Sequence, residues 1–174
     1  LGAATACAGL VALRPLHRLL RDRRLFRLLA ATGTRRPGDD VVLLNSALPV
    51  SVTAGVWRPQ IYLSAELASS LPPEQLAVVL EHERAHVRRR DPFRKLAAAM
   101  LSLGHLPGLR RRLLSELTLA CEQACDEEAV NRVGDRLHVA DAIVAVERML
   151  TACDLTRWPA GARCCRCTPP NSSA

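Results

Sequence analysis

The sequence predicts a mostly helical α+β domain with a small antiparallel sheet placed ahead of its central helix. Three observations carry this. Apolar residues make up 49% of the 174-residue chain but aromatics only 3%, so the core must be built from Leu, Ala and Val. Ala, Leu and Arg favour helix, whereas strand-rich chains lean on aromatic and β-branched residues. The β-prone runs are confined to residues 41–63, and long 3.6-periodic segments follow them. A chain of this length builds one domain with a sizeable core.

Residues 1–13 carry no charge, and Arg14, Arg18, Arg21, Arg23, Arg24 and Arg27 follow closely. Thirteen residues fall short of the roughly 20 needed to span a bilayer. The segment reads as the end of a membrane-associated helix, with a signal-peptide core the weaker alternative because no small-x-small cleavage site ends it. The arginine flank would then mark the cytoplasmic side. Residues 14–30 place Leu16, Leu19, Leu20, Leu25, Leu28 and Leu29 along a helical stripe, which makes 1–30 a membrane-associated and basic juxtamembrane unit. Residues 31–40 hold Gly33, Pro37 and Gly38 and read as a loop.

VVLLN, PVSVTAG and QIYLS then supply three short strands separated by turn-forming residues. Pro72 and Pro73 suit the first turn of a helix that runs through EQLAVVLEHERAHVRRR and stops before Pro92. Asp91 reads as the N-cap of the next helix, with Pro92 its first residue and Gly104 its end. A longer helix follows Pro107 and stops at Gly134, and a last one covers about 138–152. Residues 153–174 lack periodicity and read as a disordered tail.

The chemistry is concentrated on two helices. His82-Glu83-Arg84-Ala85-His86 fits the H-E-x-x-H pattern. Residues four apart on a helix differ by roughly 40° around its axis, so both imidazoles leave one face and can hold one zinc ion. Glu83 lies about 60° from His86, beside the metal position, where a carboxylate can take a proton from an activated water. Glu122 and Asp126 are again four apart on a helix. Glu122 is the candidate third ligand, and Asp126 can accept the outer N–H of a ligating imidazole and hold its orientation. Two histidines, one glutamate and an open position describe a catalytic zinc site rather than a closed structural one. A solvated amphipathic helix is the plainer reading of the first motif, and the second helix argues against it. A di-iron bundle would need a second Glu-x-x-His element, which is absent from the chain.

Seven cysteines, unevenly spaced, do not form a secreted disulfide framework and suit a reducing compartment. Cys121 and Cys125 read as small buried hydrophobes rather than thiolate ligands. Cys164, Cys165 and Cys167 have no matching pair. Of His17, His105 and His138, only His138 follows the Glu122 helix closely enough to be considered for oxyanion stabilisation, and it stays unassigned.

The net charge is +7 and the pI about 9.5, with arginine runs at 88–90 and 110–112. Such a surface attracts anionic membranes or nucleic acid. With no DNA-reading motif in the chain, nucleic acid is not an expected partner, and the apolar start tips the reading toward membrane.

Residues 45–145 resemble the BlaR/MecR-type integral-membrane zinc peptidases. The resemblance rests on Gly55, Arg58-Pro59-Gln60-Ile61-Tyr62-Leu63, Pro73-Glu74-Gln75-Leu76, the His82–His86 motif, Arg89-Arg90-Asp91-Pro92 and Glu122-Gln123-Ala124-Cys125-Asp126-Glu127. It implies a zincin-like (gluzincin) fold over about 31–152, facing the cytosol. His82, His86 and Glu122 would bind zinc, Glu83 would be the catalytic base, and Asp126 would support a ligand. It further implies cleavage of a protein substrate, such as a transcriptional repressor or the peptidase itself, in a signalling pathway. The other membrane helices and sensor domain of that family have no counterpart in the sequence, so the rival reading is a truncated, inactive peptidase-like domain used as a regulatory binding module. An extended substrate is expected to pair with the strand near Gln60–Leu63, whose edge would lie beside the catalytic helix.

Overall fold

The computed structural model describes residues 31, 33–35, 40–46 and 48–152. The basic helix expected over 14–30, His17, the tail from 153 and the cysteines other than Cys121 and Cys125 lie outside the described residues. The elements are β1 (Thr34–Arg35), β2 (Val41–Leu44), β3 (Ser51–Ala54), β4 (Gln60–Ser64), α1 (Ala65–Ser70), α2 (Pro73–Arg89), α3 (Asp91–Leu101), a 3₁₀ turn (Ser102–Gly104), α4 (Pro107–Val133) and α5 (Arg136–Ala152). The architecture is mostly helical α+β, as the composition predicts.

The sheet corrects one expectation. It is mixed, not antiparallel: the order is β1-β2-β4-β3, with β2 and β4 parallel and the other two pairs antiparallel. The reason lies in β4. Its QIYLS run is buried at four consecutive positions, which requires partners on both edges and cover on both faces. The link after β2 therefore carries the chain past the central slot, β3 forms the outer strand, and a tight turn at Gly55 brings β4 back between them. Gly55 sits at φ 108, where a Cβ would lie 2.6 Å from the Arg58 carbonyl oxygen, so the turn tolerates little else. Ser64 locks the arrangement. Its backbone N–H donates to Val50 O, its hydroxyl oxygen accepts from Val50 N at 2.9 Å, and the same oxygen caps α1 by accepting from Leu67 N. That cap explains a short helix that periodicity does not reveal. Thr34–Arg35, read as loop, adds a two-residue edge to β2.

With β4 central, the substrate-pairing edge expected near Gln60–Leu63 does not exist. Ile61 is fully buried and bonded on both sides. Among the described residues, the strand with an outer edge next to α2 is β3.

Helix α2 organises the rest through two stripes of i, i+4 positions. Val79 packs with Val41, Ile61, Leu63, Leu67, Val146 and Leu150, between the sheet and α5. Val78 packs with Ala129, Val139 and Ala142 of α4 and α5. Each fully buried aliphatic side chain of this kind contributes about 1.5–3 kcal/mol. One turn further along, the Val79 stripe continues as Glu83 and the Val78 stripe as His82, then His86. The apolar packing thus aims the glutamate at the sheet and both imidazoles at α4. Helix α4 approaches closely because its buried positions, Cys121, Cys125 and Ala129, are small and α2 answers with the fully buried Ala85. Both cysteines are buried and free. Gly134, at φ 83, ends α4. No described helix is long and apolar enough to cross a membrane.

Candidate metal centre

His82, Glu83 and His86 are all buried, although they lie on a helix rich in charge. Nε2 of His82 and Nε2 of His86 each lie 3.5 Å from the same oxygen, Oε2 of Glu122. Two ligands about 2.1 Å from one tetrahedral ion are separated by roughly 3.4 Å, so both imidazole–carboxylate separations suit a zinc-sized cation. The ligand atoms of His82, His86 and Glu122 lie within 4.8 Å of one another. Burial alone would raise the Glu122 pKa. Hydrogen bonding from His82 and His86, with the positive charges of His86 and Lys95, outweighs it and holds the carboxyl well below the usual carboxylate range. The group is therefore an anion poised between two imidazoles, the form that coordinates metal.

Both imidazoles are oriented from behind. Nδ1 of His82 is 2.8 Å from Oδ1 of Asp126, and Nδ1 of His86 is 2.8 Å from Oδ2 of Asp91. Glu83 faces the cleft from the other stripe. Ser51 Oγ donates to its Oε1 at 3.0 Å and Thr53 Oγ1 to its Oε2 at 2.7 Å. These hydroxyls sit two apart on β3 and so share the sheet face that meets α2. Lys95 Nζ donates to Oε1 of Glu122 at 3.2 Å, leaving Oε2 to face the imidazoles. The cleft in front of these groups has a volume of about 150 Å³ and is bounded by Ser51–Thr53, Pro92 and Lys95.

A second group, His86, Asp91 and Cys125, also has clustered donor atoms. It is less suited to a cation. Nδ1 of His86 is already engaged with Asp91, and the Cys125 thiol, 3.4 Å from Oδ2 of Asp91, is pushed far up by burial and by that carboxylate. The thiolate is the form that binds metal, and this environment disfavours it.

Each sequence-derived candidate has a definite place. His82, His86 and Glu122 converge, Glu83 borders the same cleft, and Asp126 reaches His82. His138 does not line the cleft: its Nε2 pairs with Glu74 Oε2 at 3.2 Å. His105 is exposed and also lies off it. Asp91 is not the N-cap that its place before Pro92 implies. It is the first residue of α3 behind a left-handed Arg90, and its side chain turns inward. Sequence reading also misses Ser51, Thr53 and Lys95. The one available signal is the pair of hydroxyl residues at i, i+2 in an otherwise apolar strand.

A two-imidazole helix, a carboxylate from a second helix and a separate glutamate beside them define a domain of the metallopeptidase-like class. The chain belongs to the BlaR1 peptidase M56 family, whose family model matches residues 12–152. No match emerged among curated proteins or solved structures.

Proposed function

We propose that this chain is a zinc-dependent endopeptidase domain with a zincin-like fold, acting on a protein substrate such as a transcriptional repressor or on itself. One observation carries the reading: two Nε2 atoms are equidistant from a single Glu122 oxygen, with the Glu83 carboxylate on the adjacent stripe. His82, His86 and Glu122 would hold the ion. When bound, zinc supplies a Lewis acid for the scissile carbonyl and lowers the pKa of the attacking water. Glu83 takes the proton of that water at a carboxylate oxygen and passes it to the departing amine. Ser51 and Thr53 fix the Glu83 side chain so that its reach is set before substrate arrives. Asp126 steadies His82. An extended substrate would pair with the outer edge of β3, which runs beside Glu83.

The cytosol-facing membrane location rests on residues 1–30 and on the family assignment. The basic run at 88–90 contributes less to it than its composition implies, because Arg88 is tied to Glu128 and Glu81 and Arg89 lies against Asp91.

Elemental analysis of the purified chain should find one zinc per molecule. Glu83→Gln should keep that zinc while lowering self-cleavage, or cleavage of an unfolded protein, by about 10²–10⁴-fold. Stoichiometric zinc with no cleavage by the wild type would instead favour the regulatory binding module. Absence of zinc would remove both the metal centre and the mechanism built on it.

A further inference from the structure

We propose that the turn joining α3 and α4 is a lipid-contacting tip: Met100, Leu101, Leu106, Leu109 and Leu113 enter the surface of an anionic bilayer while Arg111 and Arg112 engage its phosphates. This draws on neither residues 1–30 nor the metal centre, so it stands apart from the location argued above.

The turn stands clear of the body. Helix α4 buries Cys121, Cys125 and Ala129, all in its second half, and α3 buries only Asp91, at its start. From 92 to 120 the one buried residue is Ser102. A Cβ added at Gly104 or Gly108 would meet nothing within 4 Å. The two arms are nevertheless tied, because Arg110 Nη2 donates to Ala99 O at 3.3 Å. The side chains presented there are not those of a solvated turn. Leu101 is 81% exposed and Leu106 76%, and Met100, Leu109 and Leu113 are exposed beside them. Leu106, Leu109 and Leu113 follow i, i+3, i+7 spacing and so form one stripe. A single exposed leucine is ordinary, but five apolar side chains gathered on one turn mark an interaction surface.

Charge identifies the partner. Residues 92–115 contain five cations, Arg94, Lys95, Arg110, Arg111 and Arg112, and no Asp or Glu. Arg94 and Lys95 face Asp91 and Glu122, and Arg110 holds Ala99 O. Arg111 and Arg112 are exposed, and neither has an ion pair among the described residues. Arg112 lies about 60° from Leu109 around the axis, so its stem can follow the leucine stripe while its guanidinium rises to the phosphates. Leucines flanked by arginines suit an anionic bilayer, which takes up both parts. Two copies meeting at this tip would bring like charges together. The far end of α4 supplies a contrast. Leu137 is also 76% exposed, but the adjacent His138 is paired with Glu74 and Asp135, so that end carries acid beside its leucine. Docking by the tip also has a consequence for the cleft. Helix α3 carries Pro92 and Lys95 at the cleft and Leu101 at the tip, about 14 Å apart along its axis.

The test uses the full chain with Trp57→Phe and Trp158→Phe, and a single tryptophan introduced as Leu106→Trp or Leu137→Trp. Both positions are exposed, so neither change disturbs packing. The vesicles are phosphatidylcholine with one quarter phosphatidylglycerol and a nitroxide lipid labelled near the headgroup. Emission from Leu106→Trp should shift to the blue and be quenched, that from Leu137→Trp should not, and phosphatidylcholine alone should give neither effect. In the otherwise wild-type chain, Arg111→Gln with Arg112→Gln should lower vesicle partitioning about 25-fold, roughly fivefold for each charge. A chain that sediments with vesicles while Leu106→Trp stays unquenched overturns the proposal, since residues 1–30 alone would then hold the lipid. Equal quenching at both tryptophans, or equal binding to uncharged vesicles, overturns it too. So does Leu106-dependent dimerisation in solution without vesicle binding, which would make the tip a contact between copies.

Discussion

His82 and His86 stand one turn apart on the same stripe of α2, yet the carboxylates behind them differ sharply. The Asp126 side chain, behind His82, is 36% exposed and stands on the long helix α4. Asp91, behind His86, is 1% exposed and sits at a strained junction between two helices. Water can stand in for a lost acceptor on the first side. On the second side burial leaves the imidazole nitrogen only the Cys125 thiol, 3.2 Å from Nδ1 and a weak acceptor. The candidate centre therefore has one adaptable and one rigid imidazole, joined by Glu122.

Glu122 is where the two sides meet, so removing it tests the comparison most severely. Glu122→Gln deletes the anion facing both Nε2 atoms, and zinc affinity should fall by more than the roughly 10–100-fold typical of an outer carboxylate. Chelator competition on the folded variant measures this. A loss no larger than that of an outer-partner variant would show that Glu122 is not a ligand and would dissolve the symmetry just described.

The contrast between the two sides also marks what the sequence discloses. His82, His86, Glu122 and Asp126 are all placed by i, i+4 spacing on helices, a local regularity that survives folding intact. The helices α2 to α5 are legible for the same reason, since stripes, prolines at first turns and Gly134 are local signals. Asp91 is hidden because Asp-Pro before an apolar run is also the local signature of a cap, and only the left-handed Arg90 decides against it. Ser51 and Thr53 are hidden because their partner, Glu83, lies some thirty residues away. The mixed sheet is illegible for a related reason: three β-prone runs imply strands, but the choice of centre depends on which run is covered on both faces. Helix α1 depends on one serine hydroxyl that also serves the sheet.

A finer test compares the two outer carboxylates directly. Asp126→Asn should weaken zinc binding by about tenfold, the low end of the range for such partners, whereas Asp91→Asn should approach its high end. The difference follows from access. At the exposed position a water can accept the His82 N–H, at little cost relative to a direct bond. Equal losses from the two substitutions, measured by the same competition, would mean that exposure does not set the tolerance of either side. A larger loss at Asp126 would invert the assignment of the adaptable and rigid imidazoles.

The smallest expected effect concerns Cys125, which sits behind His86 and separates two meanings of the buried cluster there. If the thiol only fills space and donates weakly to Oδ2 of Asp91, then Cys125→Ala removes one soft contact among several. The cost should be about 1 kcal/mol of folding stability, near the net value of an ordinary hydrogen bond, with zinc affinity changed less than twofold. The buried stripe supports this, because Cys121, Cys125 and Ala129 recur at the spacing that lets α4 lie close to α2. If Cys125 were instead a ligand in a cluster with His86 and Asp91, its substitution would rival Glu122→Gln in zinc loss. Thermal unfolding and chelator competition on the same variant separate these outcomes, since packing moves the first and ligation the second. Loss of stability with retained zinc would assign α4 two distinct jobs one residue apart, Cys125 setting how closely the helices approach and Asp126 facing the ring that this approach brings within reach.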